Sequence, residues 1–464
     1  MDDDFARPLF GRSPYRRTFS SLKITKQDSV PLAPKRNMSL RANVIWTFGG
    51  TVIYAMAQWA MLASISKLGT PFMVGQFALG LAISAPVYMF TNMQLRIIQA
   101  TDAKGDFSFP DYFGMRLLAS AAGFAFVIVL VVAYRAPQET RLVVIAIGLA
   151  KCFEAVSDAI YGLCQKYERM KFISISLSLK GLGSAAALVL VLRLTHSIVL
   201  GSCAVAAWWL LLLLTVDLYW ASQLVQLEPL HPRKWLPQFD WKTLSRLLKH
   251  AFPMGIQTML ASLAVSIPRL VVNHDLGTAM LGKFAAMAYF IVAGQTVITA
   301  VGNSVQAPLS RCWHSSLPVF PRLLFKFGAF AFCVGMAATA LAAVAGRPIL
   351  SAFYSPQYAA YQGVFVLLMF ASAFYYISSI LSGGVAIVRM FWTYTLLYST
   401  VPAVALLAAW LLVPRIGLMG AAVSTLVLCI ASAAVPAAVI LIGYRRQQRA
   451  RPHSLQACEA VEAS

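Results

Sequence analysis

Long runs of this chain contain no Asp, Glu, Lys or Arg, among them Ala42–Ser66, Leu68–Leu95, Leu117–Tyr134, Ser197–Val216, Phe284–Ser310, Met390–Pro414 and Ile416–Tyr444. An apolar run of about 18 residues or more spans a bilayer as a helix. No soluble core absorbs so many. The composition agrees: 59% of the 464 residues are hydrophobic and 12% are charged, against roughly 45–50% and 25% in soluble domains. The chain reads as an all-α polytopic membrane protein.

Hydropathy and turn residues divide it into about twelve helices, at 42–65, 71–94, 114–134, 141–164, 172–193, 197–220, 250–272, 284–307, 323–345, 361–386, 390–413 and 416–443. With the N-terminus inside, 28 of the 38 lysines and arginines fall in inner segments. Seven fall in outer loops, and Lys151, Lys180 and Arg269 fall inside spans. This bias is the usual orientation signal. It gives a multi-pass protein with both termini cytoplasmic, and it accounts for the net charge of +21 without nucleic acid. The first 37 residues are polar and basic, and a full-length span follows directly, so they read as a cytosolic tail rather than a signal peptide. Met38 is an alternative start. The seven cysteines and six histidines are scattered. No metal site or cofactor is expected.

The chain repeats itself loosely. KLGTPFMVGQFA follows the first helix and HDLGTAMLGKFA the seventh, pairing Gly75-Gln76-Phe77-Ala78 with Gly282-Lys283-Phe284-Ala285. Phe109-Pro110 matches Phe320-Pro321, and Arg169-Met170 matches Arg389-Met390. The expected plan is a basic tail (1–37), a six-helix bundle (38–220), a partly amphipathic linker (221–249), a second six-helix bundle (250–444) and a cytosolic tail (445–464). Two halves of like orientation are related by an axis along the membrane normal, as in parallel-repeat transporters.

The segment KCFEAVSDAI breaks the apolar pattern. At about 100° per residue, Lys151, Glu154, Asp158, Tyr161 and Gln165 fall on one stripe. A charge at mid-membrane costs roughly 2.5–3.5 kcal/mol, so this stripe must face protein or water. Lys180, on the next helix, lies level with the two acids. Two readings follow: a salt bridge stitching the fourth and fifth helices, or a charged cavity wall that binds an anion. Glu154 and Asp158 are also candidates for proton or ion coupling. The second half has Phe374 and Ser378 at the matching positions, so the task belongs to the first half. Arg269 is either a snorkelling cation or an anion contact between the halves. Asp217 and Arg96 read as boundary anchors. Trp46, Tyr54, Gln58 and Trp59 share the first helix, where aromatics serve as interfacial residues or stack on sugar.

Several stretches carry a family resemblance: NVIWTFGGTVIYAMAQWAMLASISKLG, VGQFALGLAI, FPDYFGMR, EAVSDAIYGLCQKYERM, IPRLVV and LGTAMLGKFA. In this order the chain resembles the bacterial oligosaccharide and polysaccharide flippases of the superfamily that includes the multidrug and toxic-compound (MATE) exporters. The resemblance implies a MATE-like pair of six-helix bundles in the bacterial inner membrane. It implies a polyprenyl-diphosphate-linked oligosaccharide as substrate, with glycan polymerase and chain-length machinery as further partners. It also implies a cationic cavity, for which Lys151, Lys180 and Arg269 are the available positions. A drug exporter is the alternative, but the first helix lacks the carboxylate common in that branch. Peptidoglycan-precursor flippases usually have about fourteen helices. A glycan polymerase, an enzyme, would show a long outer loop, and none is found.

Overall fold

The structure is a computed structural model and describes residues 40–102, 105–226, 236–315 and 317–462. The expected N-terminal tail and Trp235 of the linker lie outside the described residues. The long helices are α1 (Leu40–Leu68), α2 (Pro71–Asn92), α3 (Phe109–Ala133), α4 (Gln138–Lys166), α5 (Met170–Thr195), α6 (Ile198–Val225), α7 (Trp241–Leu276), α8 (Thr278–Ser315), α9 (Val319–Phe353) and α10 (Gln362–Val388). Helix Phe391–Tyr398 then runs at Thr400 into one that ends at Glu462, broken at Ile416 and Gly417. We number these parts α11 (391–415) and α12 (418–462). Gly417 has φ 61° and ψ −138°, a conformation open to glycine alone, so the break sits where an outer turn was expected. A short helix, Leu95–Thr101, follows α2.

Ten helices among the described residues are long and apolar enough to cross a membrane. That number omits α4, which Lys151, Glu154 and Asp158 interrupt, and takes α11 and α12 as one. Restoring both gives the expected twelve. The protein is a multi-pass membrane protein.

Local chemistry sets the helix ends. Thr70 caps α2 by accepting from the Met73 N–H, with Pro71 in the first turn, where its missing N–H is harmless. Asp111 accepts from the Ser108 backbone N–H at 2.9 Å and closes a capping box. That box starts α3 at Phe109, five residues earlier than hydropathy suggests. Asp240 caps α7 through the N–H groups of Lys242 and Thr243, so much of the expected linker is helix. The C-terminal tail shows no break at 445, because α12 continues to Glu462.

The packing repeats as the sequence does. In the first half α1 packs on α5, α2 on α4, and α3 on α4; in the second, α8 packs on α10, α9 on α10, and α7 on the α11–α12 pair. Gln76 donates to Thr140 at the start of α4 at 3.0 Å, and its counterpart Lys283 donates to Tyr361 before α10 at 3.1 Å. The halves meet through α2 with α7 and α8, and through α1 with α8.

We call the side bearing the start of α1 the basic face. At the other face the repeat motifs themselves touch. A Cβ on Gly75 would lie 1.8 Å from the Thr278 carbonyl oxygen, and one on Gly282 would lie 1.9 Å from that of Pro71. Two glycines thus let α2 and α8 close together there. Trp59 adds to the closure, donating to the Tyr354 hydroxyl at 3.1 Å and packing on Phe290 and Phe353. Toward the basic face, α1 leaves Val44, Ile45 and Phe48 exposed, and α8 leaves Val297, Thr299 and Asn303 exposed. The halves are closed at one face, and toward the other α1 and α8 leave these side chains uncovered.

Candidate functional site

The α4 stripe is intact and is not packed dry. The side chains of Lys151, Glu154 and Asp158 are 22%, 25% and 26% exposed, inside a helix whose other face is buried. Lys151 pairs with Glu154 at 2.6 Å and lies over the Trp209 ring at 5.3 Å. Tyr54 of α1 donates to the other Glu154 oxygen at 2.5 Å. Gln58, one turn on, lines a cavity of about 10 Å³ with Lys151 and Trp209, and its Nε2 has no partner. That is room for about one water. Trp46 lies under Lys171 at 5.6 Å.

One helical turn nearer the basic face, Asp158 binds two guanidiniums. Arg96 approaches Oδ1 at 3.3 Å and Arg116 approaches Oδ2 at 3.2 Å. Arg96 also donates to Gln165 at 3.1 Å. Arg116 is fully buried, bonds Asn92, and keeps its Nε unpartnered. Two cations share one carboxylate, so this cluster carries one surplus positive charge. Arg96 was expected to be a boundary anchor; it is a member of the site. Hydropathy alone places Arg116 in the first turn of α3, an interfacial position, whereas the helix starts at Phe109. The Ser108–Asp111 capping box was the available signal, since it puts Arg116 two turns inside the helix.

Lys180 is corrected more sharply. Among the described residues it makes no hydrogen bond or ion pair with Glu154 or Asp158. It is buried and pairs with Asp217 of α6 at 2.8 Å. It also donates to the Tyr161 hydroxyl at 2.9 Å, while Ser176 donates to Asp217 at 2.6 Å. The Asp217 position is not a boundary: α6 runs on to Val225, and residues Leu213–Asp217 form a π-turn. Such turns are frequent at functional sites. The bridge between helices is real, but it joins α5 to α6.

Arg269 of α7 is half-buried and makes no hydrogen bond or ion pair among the described residues. Tyr289 and Tyr375 are its electrostatic neighbours. Tyr289 of α8 is in turn within electrostatic range of Glu154 and Tyr54. Tyr289 and Arg269 of the second half and Tyr54 and Glu154 of the first are thus electrostatic neighbours across the interface. Among the described residues no group of His, Cys, Asp and Glu is arranged to hold a metal.

Comparison with known proteins follows this geometry. No protein-family model matches the chain. It is 23% identical over 384 residues to the capsular polysaccharide biosynthesis protein CapF of Staphylococcus aureus, covering 82% of this chain and 94% of that one. Among solved structures, a MOP-superfamily transporter from Pyrococcus furiosus aligns with a TM-score of 0.58 at 14% identity, over 87% of this chain and 94% of its own. A multidrug-resistance MATE transporter aligns in its outward-facing form with a TM-score of 0.55 and in its inward-facing form with 0.56, each at 13% identity. These alignments cover 88% and 89% of this chain, and 95% and 96% of the other. The chain shares the fold of these transporters, and the similarity to CapF agrees with the polysaccharide-related resemblance read from the sequence.

Proposed function

We propose that the chain moves polyprenyl-diphosphate-linked oligosaccharide from the inner to the outer leaflet of the bacterial cytoplasmic membrane, for assembly of a surface polysaccharide. The basic face is then cytosolic, as its lysines and arginines require. One observation carries the reading. The partly exposed charges at the interface of the halves include more cations than acids, Lys151, Arg96 and Arg269 against Glu154 and Asp158, with Arg116 buried behind Asp158. A diphosphate is rejected by hydrocarbon and accepted by fixed guanidiniums in a wet cavity. The polyprenyl tail stays in lipid at the α1–α8 edge. Closure at the Gly75–Gly282 contact supports alternating access, in which the halves rock about a site between them. The identity to CapF supports a glycan as cargo.

Flipping of a lipid-linked oligosaccharide in proteoliposomes tests this. Arg269→Gln and Arg96→Gln should each slow it by on the order of ten- to a hundredfold, the cost of a lost charge-assisted hydrogen bond. Arg269→Lys should retain part of the rate. Unchanged rates in folded glutamine variants would remove the diphosphate from this site. Glu154, held between Lys151 and Tyr54, is the group placed to exchange a proton when substrate draws Lys151 away. Transport that ignores an imposed pH gradient would eliminate that role.

A further inference from the structure

Two cavities lie along α7. Near the basic face, one of about 870 Å³ lies between α7, the start of α3 and the loop after the short helix Leu95–Thr101, and is lined by Asp102, Asp106, Tyr112, Arg246, Lys249 and His250. Deeper in the membrane α2, α3 and α7 bound an apolar groove of about 660 Å³, with Pro86, Phe90, Ala122, Phe126, Met259 and Leu263 on its walls. Between the two levels, Met93, Leu95, Leu247 and Ala251 form a buried cluster.

The cavity's charges are not equivalent. Asp102 accepts from the N–H groups of Gly105, Asp106 and Phe107 at 2.9, 3.1 and 3.2 Å, and from the Tyr112 hydroxyl at 3.2 Å. Burial raises its pKa, but these donors outweigh that and hold the carboxyl below its ordinary value. Its oxygens are saturated and serve to staple the loop. Arg246, Lys249 and His250 follow at i, i+3 and i+4, which places them on one face of α7. All three are exposed, and neither Lys249 nor His250 has a hydrogen bond or ion pair among the described residues. Asp102 is committed to the loop, which leaves Asp106 as the one uncommitted carboxylate beside Arg246 and Lys249, so the cations free to meet a ligand outnumber the acids by one.

We propose that the two cavities bind one anionic phospholipid of the basic-face leaflet, with its phosphate on Arg246 and Lys249 and an acyl chain in the groove. Each level alone suits many ligands. Together they need a molecule with an anionic head and a hydrocarbon tail. From Lys249 to Met259 is ten residues, about 15 Å along the helix, roughly the depth of one leaflet's hydrocarbon. Basic pockets between helices at the cytoplasmic side suit lipid phosphates. The cavity joins a first-half loop to second-half α7, so a lipid held there stabilises the arrangement of the halves seen here over any other.

The test uses the full-length protein in detergent and native mass spectrometry with phosphatidylglycerol or phosphatidylcholine. Phosphatidylglycerol should be retained preferentially. The R246Q/K249Q double variant should weaken that retention about thirtyfold, the value of two interfacial cations. Ala122→Trp, at an exposed groove position, should also weaken it with every charge in place. Equal retention of both lipids, or no effect of either variant, overturns the proposal. Displacement of the lipid by inorganic phosphate alone would mark a soluble-anion site instead. None of these outcomes depends on oligosaccharide transport.

Discussion

Replacing Lys180 with methionine should destabilise the protein by about 3–5 kcal/mol, because Asp217 would be left buried and unpaired. Both side chains are at most 1% exposed, so no water can substitute for the lost partner. Replacing both, as Lys180→Met with Asp217→Leu, should recover most of the stability, since a well-packed apolar pair is often as stable as a buried ion pair. Ser176 and Tyr161 keep each other at 2.6 Å in that variant. Thermal melting of the purified protein reads both effects. A Lys180→Met protein that melts normally but no longer transports would return Lys180 to the substrate site. A double variant that folds yet fails to transport would give the α5–α6 bridge a role in the transport cycle.

The bridge also marks the limit of what the sequence shows. Twelve spans, the repeat and the α4 stripe are all periodic or compositional features, and each survives in the structure. The partners of the charges are not. Depth arithmetic put Lys180 level with Glu154 and Asp158, which is true of depth and false of direction. The rotation of α5 turns that side chain toward α6, and the packing of α5 on α1 and α6 fixes that rotation. Arg116 and Asp217 escaped because each lay near an assumed helix end, and one or two extra turns moved both from the interface into the core. Arg269 was legible as an intramembrane cation. Its lack of an acidic partner needed the fold.

The asymmetry between the halves follows from the same contacts. The first half spends its acids inside itself, on Lys151, Lys180, Arg96 and Arg116. The second half matches the stripe with Phe374 and Ser378, and Ser378 donates to the Ser432 carbonyl instead. The glycine motif that joins the halves remains alike in both copies, because both must meet across one axis.

Substituting Gly75 or Gly282 with valine should therefore trap the protein away from the arrangement seen here. Each new Cβ would fall within 2 Å of a backbone carbonyl oxygen on the other half, and backbone cannot yield as a flexible side chain does. Overpacking of this kind costs typically 1–3 kcal/mol even where side chains can relax. A penalty of about 3 kcal/mol turns a 99:1 preference for the closed face into an even mixture. The motion needed to relieve the clash separates α2 from α8, which is the opening step of alternating access. Spin labels at Lys67 and His274, both exposed at that face, should move apart in either variant, and transport should fall sharply while membrane insertion is unaffected. Gly328, whose added Cβ would meet nothing within 4 Å, is the control: Gly328→Ala should leave both label distance and rate unchanged. If the Gly75 and Gly282 variants keep the wild-type distance and rate, the repeat motif is not the closure of that face.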